Sequence, residues 1–256
     1  MSTLKLTVLQ QPLVWLDAAA NLRHFEMLLE PIQQRDVIVL PEMFTTGFAM
    51  NAAENTLPEM EVIDWLRYWS ARTDALIGGS VALKTADGAV NRFLLAQPDG
   101  KIHHYDKRHL FRMAGEHHHY LAGGERKIVE WRGWRILPQV CYDLRFPLWS
   151  RNQQDYDLAL YVANWPAART KHWQTLLAAR AIENQAYVAG CNRVGDDDNG
   201  HDYQGDSVIL DPQGEILAQA EPGQAAQLDA ELSLEALLSY RKAFPAWCDS
   251  DKFLLL

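Results

Sequence analysis

The 256-residue chain is short of several things, and each shortage excludes a class of protein. Only three cysteines are present (Cys141, Cys191 and Cys248), odd in number and widely scattered. No disulfide framework is therefore expected, and a reducing cytoplasm is the simplest home. No stretch approaches the roughly 18 apolar residues of a membrane helix. The opening "MSTLKLTVLQQP" lacks the apolar core and cleavage site of a signal peptide. Basic residues are outnumbered, 24 Lys and Arg against 33 Asp and Glu, for a formal net charge of −9. An acidic surface repels phosphate backbones, so neither nucleic acid nor membrane is an expected partner. Low-complexity runs and Pro/Ser/Gly-rich linkers are missing too, and one domain over residues 1–256 is the expected organisation.

What is present is apolar surface. Hydrophobic residues make up 48% and charged residues 22%, enough for the substantial core of a globular protein. "LKLTVLQ" (Leu4 to Gln10), "DVIVLPE" (Asp36 to Glu42) and "YDLALYVANWP" (Tyr156 to Pro166) read as buried strands. Helical periods lie between them. Leu22, Phe25, Leu28, Leu29 and Ile32 share a face behind Asp17, a candidate N-cap. Val62, Trp65, Leu66 and Trp69 share another behind "TLPE" (Thr56 to Glu59), which matches a capping box. Lys171 to Glu183 repeats the period through Trp173, Leu176, Leu177 and Ile182, and a last helix is expected over Leu232 to Lys242. Turn signals at Asp87-Gly88, Arg132-Gly133 and "DPQG" (Asp211 to Gly214) mark hairpins. Alternation broken by hairpins predicts α/β layers with mixed sheets rather than a purely doubly wound sheet. No repeat is visible in the literal sequence. The apolar tail "FLLL" (Phe253 to Leu256) is expected to pack on the core or on a second subunit.

Three polar residues sit at the ends of expected strands: Glu42 after "VIVLP", Lys107 just past "KIHHYD" and Cys141 after "RILPQV". Each has a bland reading on its own: an acid after a strand, a solvated charge, a core thiol. Together they form a chemical set. A thiol is a weak nucleophile until it loses its proton, and an adjacent carboxylate can take that proton directly. The attacked carbonyl becomes an oxyanion, for which Lys107 and the backbone N–H of Tyr142 are candidate donors.

The same segments carry a resemblance. "LPEMFTTGF" (Leu40 to Phe48), "YDKRHLF" (Tyr105 to Phe111) and "QVCYDLRFP" (Gln139 to Pro147) resemble the three signature segments of the nitrilase superfamily, the carbon–nitrogen hydrolases, in the family's order. "VANWP" (Val162 to Pro166), "ARAIENQAYVAGCNRVG" (Ala179 to Gly195) and "GDSVILDPQGEIL" (Gly205 to Leu217) resemble its later segments, so the resemblance spans nearly the whole chain. It implies a four-layer α-β-β-α sandwich and a homodimer formed through a helical face. It implies that Cys141 is the nucleophile, Glu42 the base and acid, and Lys107 the oxyanion stabiliser. Glu116, in "GEHHHYLAGG", fits the further glutamate of many members. No metal or organic cofactor is implied. "CYDLRFP" most resembles the ω-amidase branch, which cleaves small anionic amides of the 2-oxoglutaramate and 2-oxosuccinamate type through a cysteine thioester. Hydrolysis of deaminated glutathione or an N-carbamoyl compound is the alternative within the class. A non-catalytic amide-binding protein on the same scaffold is the alternative outside it.

Such a substrate needs a cation for its distal carboxylate, and Arg145 and Lys171 are the candidates, although Arg145 also reads with Asp143 as an anchor of the turn after Cys141. Phe44, Tyr120 and Trp165 are candidate pocket walls. Arg180 and Glu183, one helical turn apart, are expected to pair, and the resemblance suggests a buried supporting role for Glu183. Cys191 reads as core, and "DDD" (Asp196 to Asp198) as a solvated loop. Six of the nine histidines fall between His103 and His119. A zinc site is the sharp reading, but neighbours in an extended segment point in alternating directions and cannot all reach one ion.

Overall fold

The computed structural model describes residues 3–254. In chain order the elements are β1 (Thr3–Gln10), α1 (Ala18–Leu29), β2 (Val37–Val39), α2 (Glu59–Thr73), β3 (Leu76–Lys84), β4 (Ala89–Ala96) and β5 (Ile102–Asp106). There follow β6 (Val129–Trp131), β7 (Trp134–Val140), α3 (Pro147–Ser150), β8 (Leu158–Ala163), α4 (Thr170–Asn184) and β9 (Tyr187–Asn192). The chain closes with β10 (Val194–Asp196), β11 (Asp202–Gln204), β12 (Val208–Leu210), β13 (Ile216–Gln219), β14 (Ala226–Ser233) and α5 (Leu234–Ala243).

Two six-stranded mixed sheets carry the fold, in the orders β14-β1-β2-β3-β4-β5 and β13-β12-β9-β8-β7-β6. From β14 the first sheet pairs antiparallel, parallel, parallel, antiparallel, antiparallel. From β6 the second repeats the same succession. The molecule thus contains a duplicated pairing pattern that the literal sequence does not display.

Period-2 alternation explains the layers. Leu4, Leu6 and Val8 of β1 meet Leu158, Leu160 and Val162 of β8 in one apolar cluster between the sheets. The opposite face of the first sheet packs Ile38 and Ile77 on Phe25 and Leu29 of α1 and Val62, Leu66 and Trp69 of α2. The opposite face of the second packs Ala159, Tyr161 and Val188 on Trp173, Leu177 and Ala181 of α4. The result is the expected α-β-β-α sandwich. Asp17 caps α1 as expected, its carboxylate accepting the Ala20 N–H at 2.8 Å.

Two expectations need correction. The capping box at Thr56 does not form: α2 starts at Glu59 behind Pro58, with no side-chain cap. Pro58, held extended at ψ 141°, sets Thr56 too far upstream to reach the first turn. The last helix starts at Leu234, not Leu232, because Leu232 and Ser233 end the unexpected strand β14, which pairs with β1 along its whole length. Its apolar face is built of Ala226, Leu228, Ala230 and Leu232, and the small alanines hid the alternation. Of the tail, Phe253 is half-buried and Leu254 exposed, whereas Leu255 and Leu256 lie outside the described residues. Among those described, no helix is long and apolar enough to cross a membrane.

Candidate active site

Glu42, Lys107 and Cys141 each follow a strand. After β2 the chain stays stitched to β3 although Pro41 cannot donate. The Leu40 N–H reaches the Gly78 carbonyl at 2.8 Å, and the Phe44 N–H reaches that of Ser80 at 3.0 Å. Lys107, just past β5, donates its backbone N–H to the Asn91 carbonyl of β4 at 2.9 Å. Cys141 leaves β7 and opens a 3-10 turn over Cys141–Arg145. Its φ of +45° is left-handed, a strained conformation for a residue with a Cβ. The first backbone N–H groups of such a turn have no partner within it, which leaves that of Tyr142 available beside the thiol.

Asp143 fixes that turn. One carboxylate oxygen accepts the Val140 N–H at 3.0 Å and the Tyr105 hydroxyl at 2.7 Å. The other accepts the His109 N–H at 2.9 Å and faces His109 Nδ1 at 2.8 Å. A fully buried carboxylate with four partners is a rigid anchor. Of the two residues proposed as anchors from sequence, Asp143 takes the role and Arg145 does not.

Beside the thiol lies a wholly buried ionic cluster. Lys107 Nζ donates to Glu42 Oε1 at 3.0 Å and to both oxygens of Glu116 at 2.9 and 3.0 Å. Asn91 Nδ2 donates to Glu42 Oε1 at 2.8 Å, and the Asn164 backbone N–H donates to Glu42 Oε2 at 2.7 Å. The Asn164 carbonyl lies 4.0 Å from Cys141 Sγ, so Asn164 bridges carboxylate and thiol. Neither asparagine was singled out from sequence.

The cluster sets the charge states. Burial works against the Lys107 ammonium, but Glu116 and Glu42 outweigh it and hold the group protonated, above the ordinary lysine range. Burial raises Glu116, Lys107 partly offsets this, and the charge of Glu42 adds to it. Burial and then the Glu42 carboxylate push the Cys141 thiol well above its ordinary value. With two carboxylates and one ammonium already present, a resting thiolate would add a second uncompensated negative charge. The resting sulfur is therefore a neutral thiol, and its proton must leave as attack begins.

A cavity of about 390 Å³ opens on Cys141. Tyr142, Arg145 and Trp165 line it, as expected, and so do Phe48, Phe111 and Arg169. Neither Arg145 nor Arg169 has a carboxylate partner among the described ion pairs. Instead Arg145 stands over the Trp165 ring at 4.9 Å, and Arg169 over the Phe111 ring at 5.4 Å.

Other candidates fall elsewhere. Phe44 is not a cavity wall: it turns away to pack on Phe25 at 5.8 Å and Trp65 at 5.8 Å, under the outer helices. Tyr120 is buried beneath the site, its hydroxyl donating to the Ala49 carbonyl at 2.8 Å. Lys171 is exposed on α4 and absent from the cavity lining. Arg180 pairs with Glu183 at 2.7 Å as expected, but the Glu183 side chain is 33% exposed rather than buried. Asp197 is not solvated: it accepts the Tyr203 hydroxyl at 2.8 Å and lines the cavity with Tyr203. Cys191 is buried between the sheets. The run His117 to His119 lies on a tight 3-10 turn rather than an extended segment. Among the described residues, no group of three or more His, Cys, Asp or Glu side chains could hold a metal ion.

A sandwich of two duplicated sheets, with a thiol, two carboxylates and an ammonium at their shared edge, defines a class, and sequence comparison gives the same answer. Residues 5–242 match the carbon–nitrogen hydrolase family, to which the chain belongs. It is 88% identical to the omega-amidase YafV of Yersinia enterocolitica across 100% of both chains. It is 33% identical to the 2-oxoglutaramate amidase of Bacillus subtilis, over 91% of this chain and 92% of that one. Among solved structures it superposes on XC1258 from Xanthomonas campestris with a TM-score of 0.97 and 45% identity over 100% of both chains. That protein is a carbon–nitrogen hydrolase superfamily member with an arsenic adduct in its active site.

Proposed function

We propose that the chain is an ω-amidase that hydrolyses small anionic amides of the 2-oxoglutaramate and 2-oxosuccinamate type to the dicarboxylate and ammonia. One observation carries the reading: Cys141, beside its buried acid–base cluster, lines a cavity that Arg145 and Arg169 also line, and neither arginine has a carboxylate partner among the described residues. The omega-amidase and 2-oxoglutaramate amidase activities named for two relatives support it.

In this reading Cys141 Sγ attacks the amide carbon while Glu42 accepts the thiol proton, forming the carbon–sulfur bond. The oxyanion is held by Lys107 and the Tyr142 N–H. Glu42 returns the proton to the nitrogen, the carbon–nitrogen bond breaks and ammonia leaves. Water, deprotonated by Glu42, then adds to the thioester, and collapse restores the thiol. Glu116 touches only Lys107 and the Phe111 N–H in this set, and serves as a positioning residue for the ammonium. The Arg145 guanidinium forks onto the distal carboxylate.

Ammonia release across a panel of 2-oxoglutaramate, 2-oxosuccinamate, deaminated glutathione, N-carbamoyl compounds and nitriles tests this. The two short ω-amides are expected to have the highest kcat/KM. Preference for deaminated glutathione would move the reading within the class, and absence of turnover on every amide would favour a binding protein.

We also propose that the protein acts in the cytoplasm as a homodimer and that the chain works as one domain. Glu42 and Lys107 follow strands of one sheet and Cys141 a strand of the other, which supports the single working unit. Exposed Leu148, Ile182, Phe244 and Trp247 on the helical side support a subunit contact. Light scattering behind size-exclusion chromatography is expected to give twice the chain mass of 29.1 kDa.

A further inference from the structure

We infer that His172 is a positioning residue that sets anion specificity by holding Arg145 without neutralising it. This rests on the reading of Arg145 as the receptor of the substrate's distal carboxylate. His172 lies in the first turn of α4 and is exposed, outside the cluster that surrounds Cys141. Its Nδ1 is 3.0 Å from Arg145 Nη2. A guanidinium has five N–H donors and no acceptor, so Nδ1 accepts and the ring is neutral, with its proton on Nε2.

The surroundings of Arg145 make that choice of partner informative. Its faces are occupied by aromatic rings, Trp165 at 4.9 Å and Tyr142 at 6.0 Å. His172 is its one side-chain hydrogen-bond partner among the described residues. Many of the protein's other arginines are held by carboxylates, Arg180 by Glu183, Arg92 by Asp106 and Glu59 and Arg35 by Asp229, and others by backbone carbonyls, as Arg151 is by Glu183 and Arg193 by Asp196. A carboxylate at residue 172 would fix the guanidinium equally well but cancel its charge. A neutral imidazole fixes it and leaves the full positive charge, and the remaining donors, for the ligand.

Steady-state kinetics on the full-length protein test this with two substrates of one length: an anionic 2-oxo ω-amide and its uncharged methyl ester. His172→Ala is expected to raise KM for the anion about fivefold to tenfold, with kcat within about twofold, the scale of one lost charge-assisted hydrogen bond. His172→Asn, which offers a neutral acceptor near the same place, is expected to restore KM. His172→Asp, which offers an acceptor but cancels the charge, is expected to leave it high. None of the three is expected to shift the ester's KM by more than about twofold. Arg145→Ala serves as the control and is expected to raise the anion's KM further than any of them. If Arg145→Ala raises it and His172→Ala does not, the role of His172 is overturned while the carboxylate reading stands. If Arg145→Ala leaves it unchanged, both fall. Equal losses on anion and ester, or failure of His172→Asn to restore KM, would reduce His172 to a structural contact.

Discussion

Glu42 shows how much of the chemistry is decided by individual lone pairs. Lys107 and Asn91 occupy Oε1, and Asn164 orients Oε2 on the side that its own carbonyl connects to the thiol. Asn91 also holds the Lys107 backbone, so one strand residue touches both groups. Asn91→Ala keeps that backbone bond and removes only the side-chain donor. It is expected to lower kcat about 10- to 100-fold with KM within about twofold, measured as initial rates of ammonia release. Lys107→Met removes the cation shared by two buried carboxylates. An inactive protein less stable by about 3–5 kcal/mol in urea titration is expected, since an uncompensated buried charge costs about that much. Unchanged stability would contradict the ionic cluster as described. At this scale the three candidate reactive residues were legible in sequence because Glu42 and Cys141 each end an apolar run and all three stand in segments that resemble the family's signatures. Asn91 and Asn164 were not, because an asparagine at a strand gives no sign of which carboxylate it faces. Phe44 was misread for a related reason: an aromatic two residues after Glu42 can turn to either side of the sheet, and the aromatic pocket between α1 and α2 claims it.

Among the elements, the strands and helices that carry the site are held by contacts of two kinds. The first is close approach. A Cβ on Gly190 of β9 would come within 2.5 Å of Leu177 and 2.8 Å of Trp173 on α4. Gly190→Ala is therefore expected to separate helix from sheet and cost about 1–3 kcal/mol, read as a lowered Tm. The second is charge. Asp157, just before β8, binds Arg135 of β7 at 2.7 Å and Arg241 of α5 at 2.8 Å. Burial pushes its carboxyl up, but the two arginines outweigh burial and hold it below the ordinary value. Because the folded value is depressed, this contribution is complete above the unfolded pKa of about 3.9 and is lost as pH falls through the folded value. Acid titration of stability is expected to show a loss below about pH 4 that is smaller in Asp157→Asn. An identical acid limb in the two proteins would contradict it. Most elements were legible from periodicity, with boundaries one to three residues off, as at β1 and β8. The duplicated pairing order was not, because the two sheets share only alternation of apolar residues and no literal sequence. The hairpin β10–β11 was also misjudged, since nothing local reveals that Asp197 folds back onto Tyr203.

Taken whole, the molecule is acidic, at −9, yet the cavity that holds its thiol is lined by two arginines, Arg145 and Arg169, without a carboxylate partner among the described residues. The global charge bears on solubility, and the local one on what enters. The two sheets explain why a sequence so dispersed makes one centre: β2 and β5 of one sheet, and β7 of the other, end at the same edge of the sandwich. Cys141 is expected to carry the acyl group between ammonia release and water addition. Rapid acid quench during turnover of an anionic ω-amide, followed by mass spectrometry of the intact protein and its peptides, measures this directly. The predicted result is a gain equal to substrate minus ammonia, located on Cys141, absent in Cys141→Ala and discharged on further incubation. A Cys141→Ala protein that still turns over the amide, or an acyl group found on another side chain, would contradict the claim.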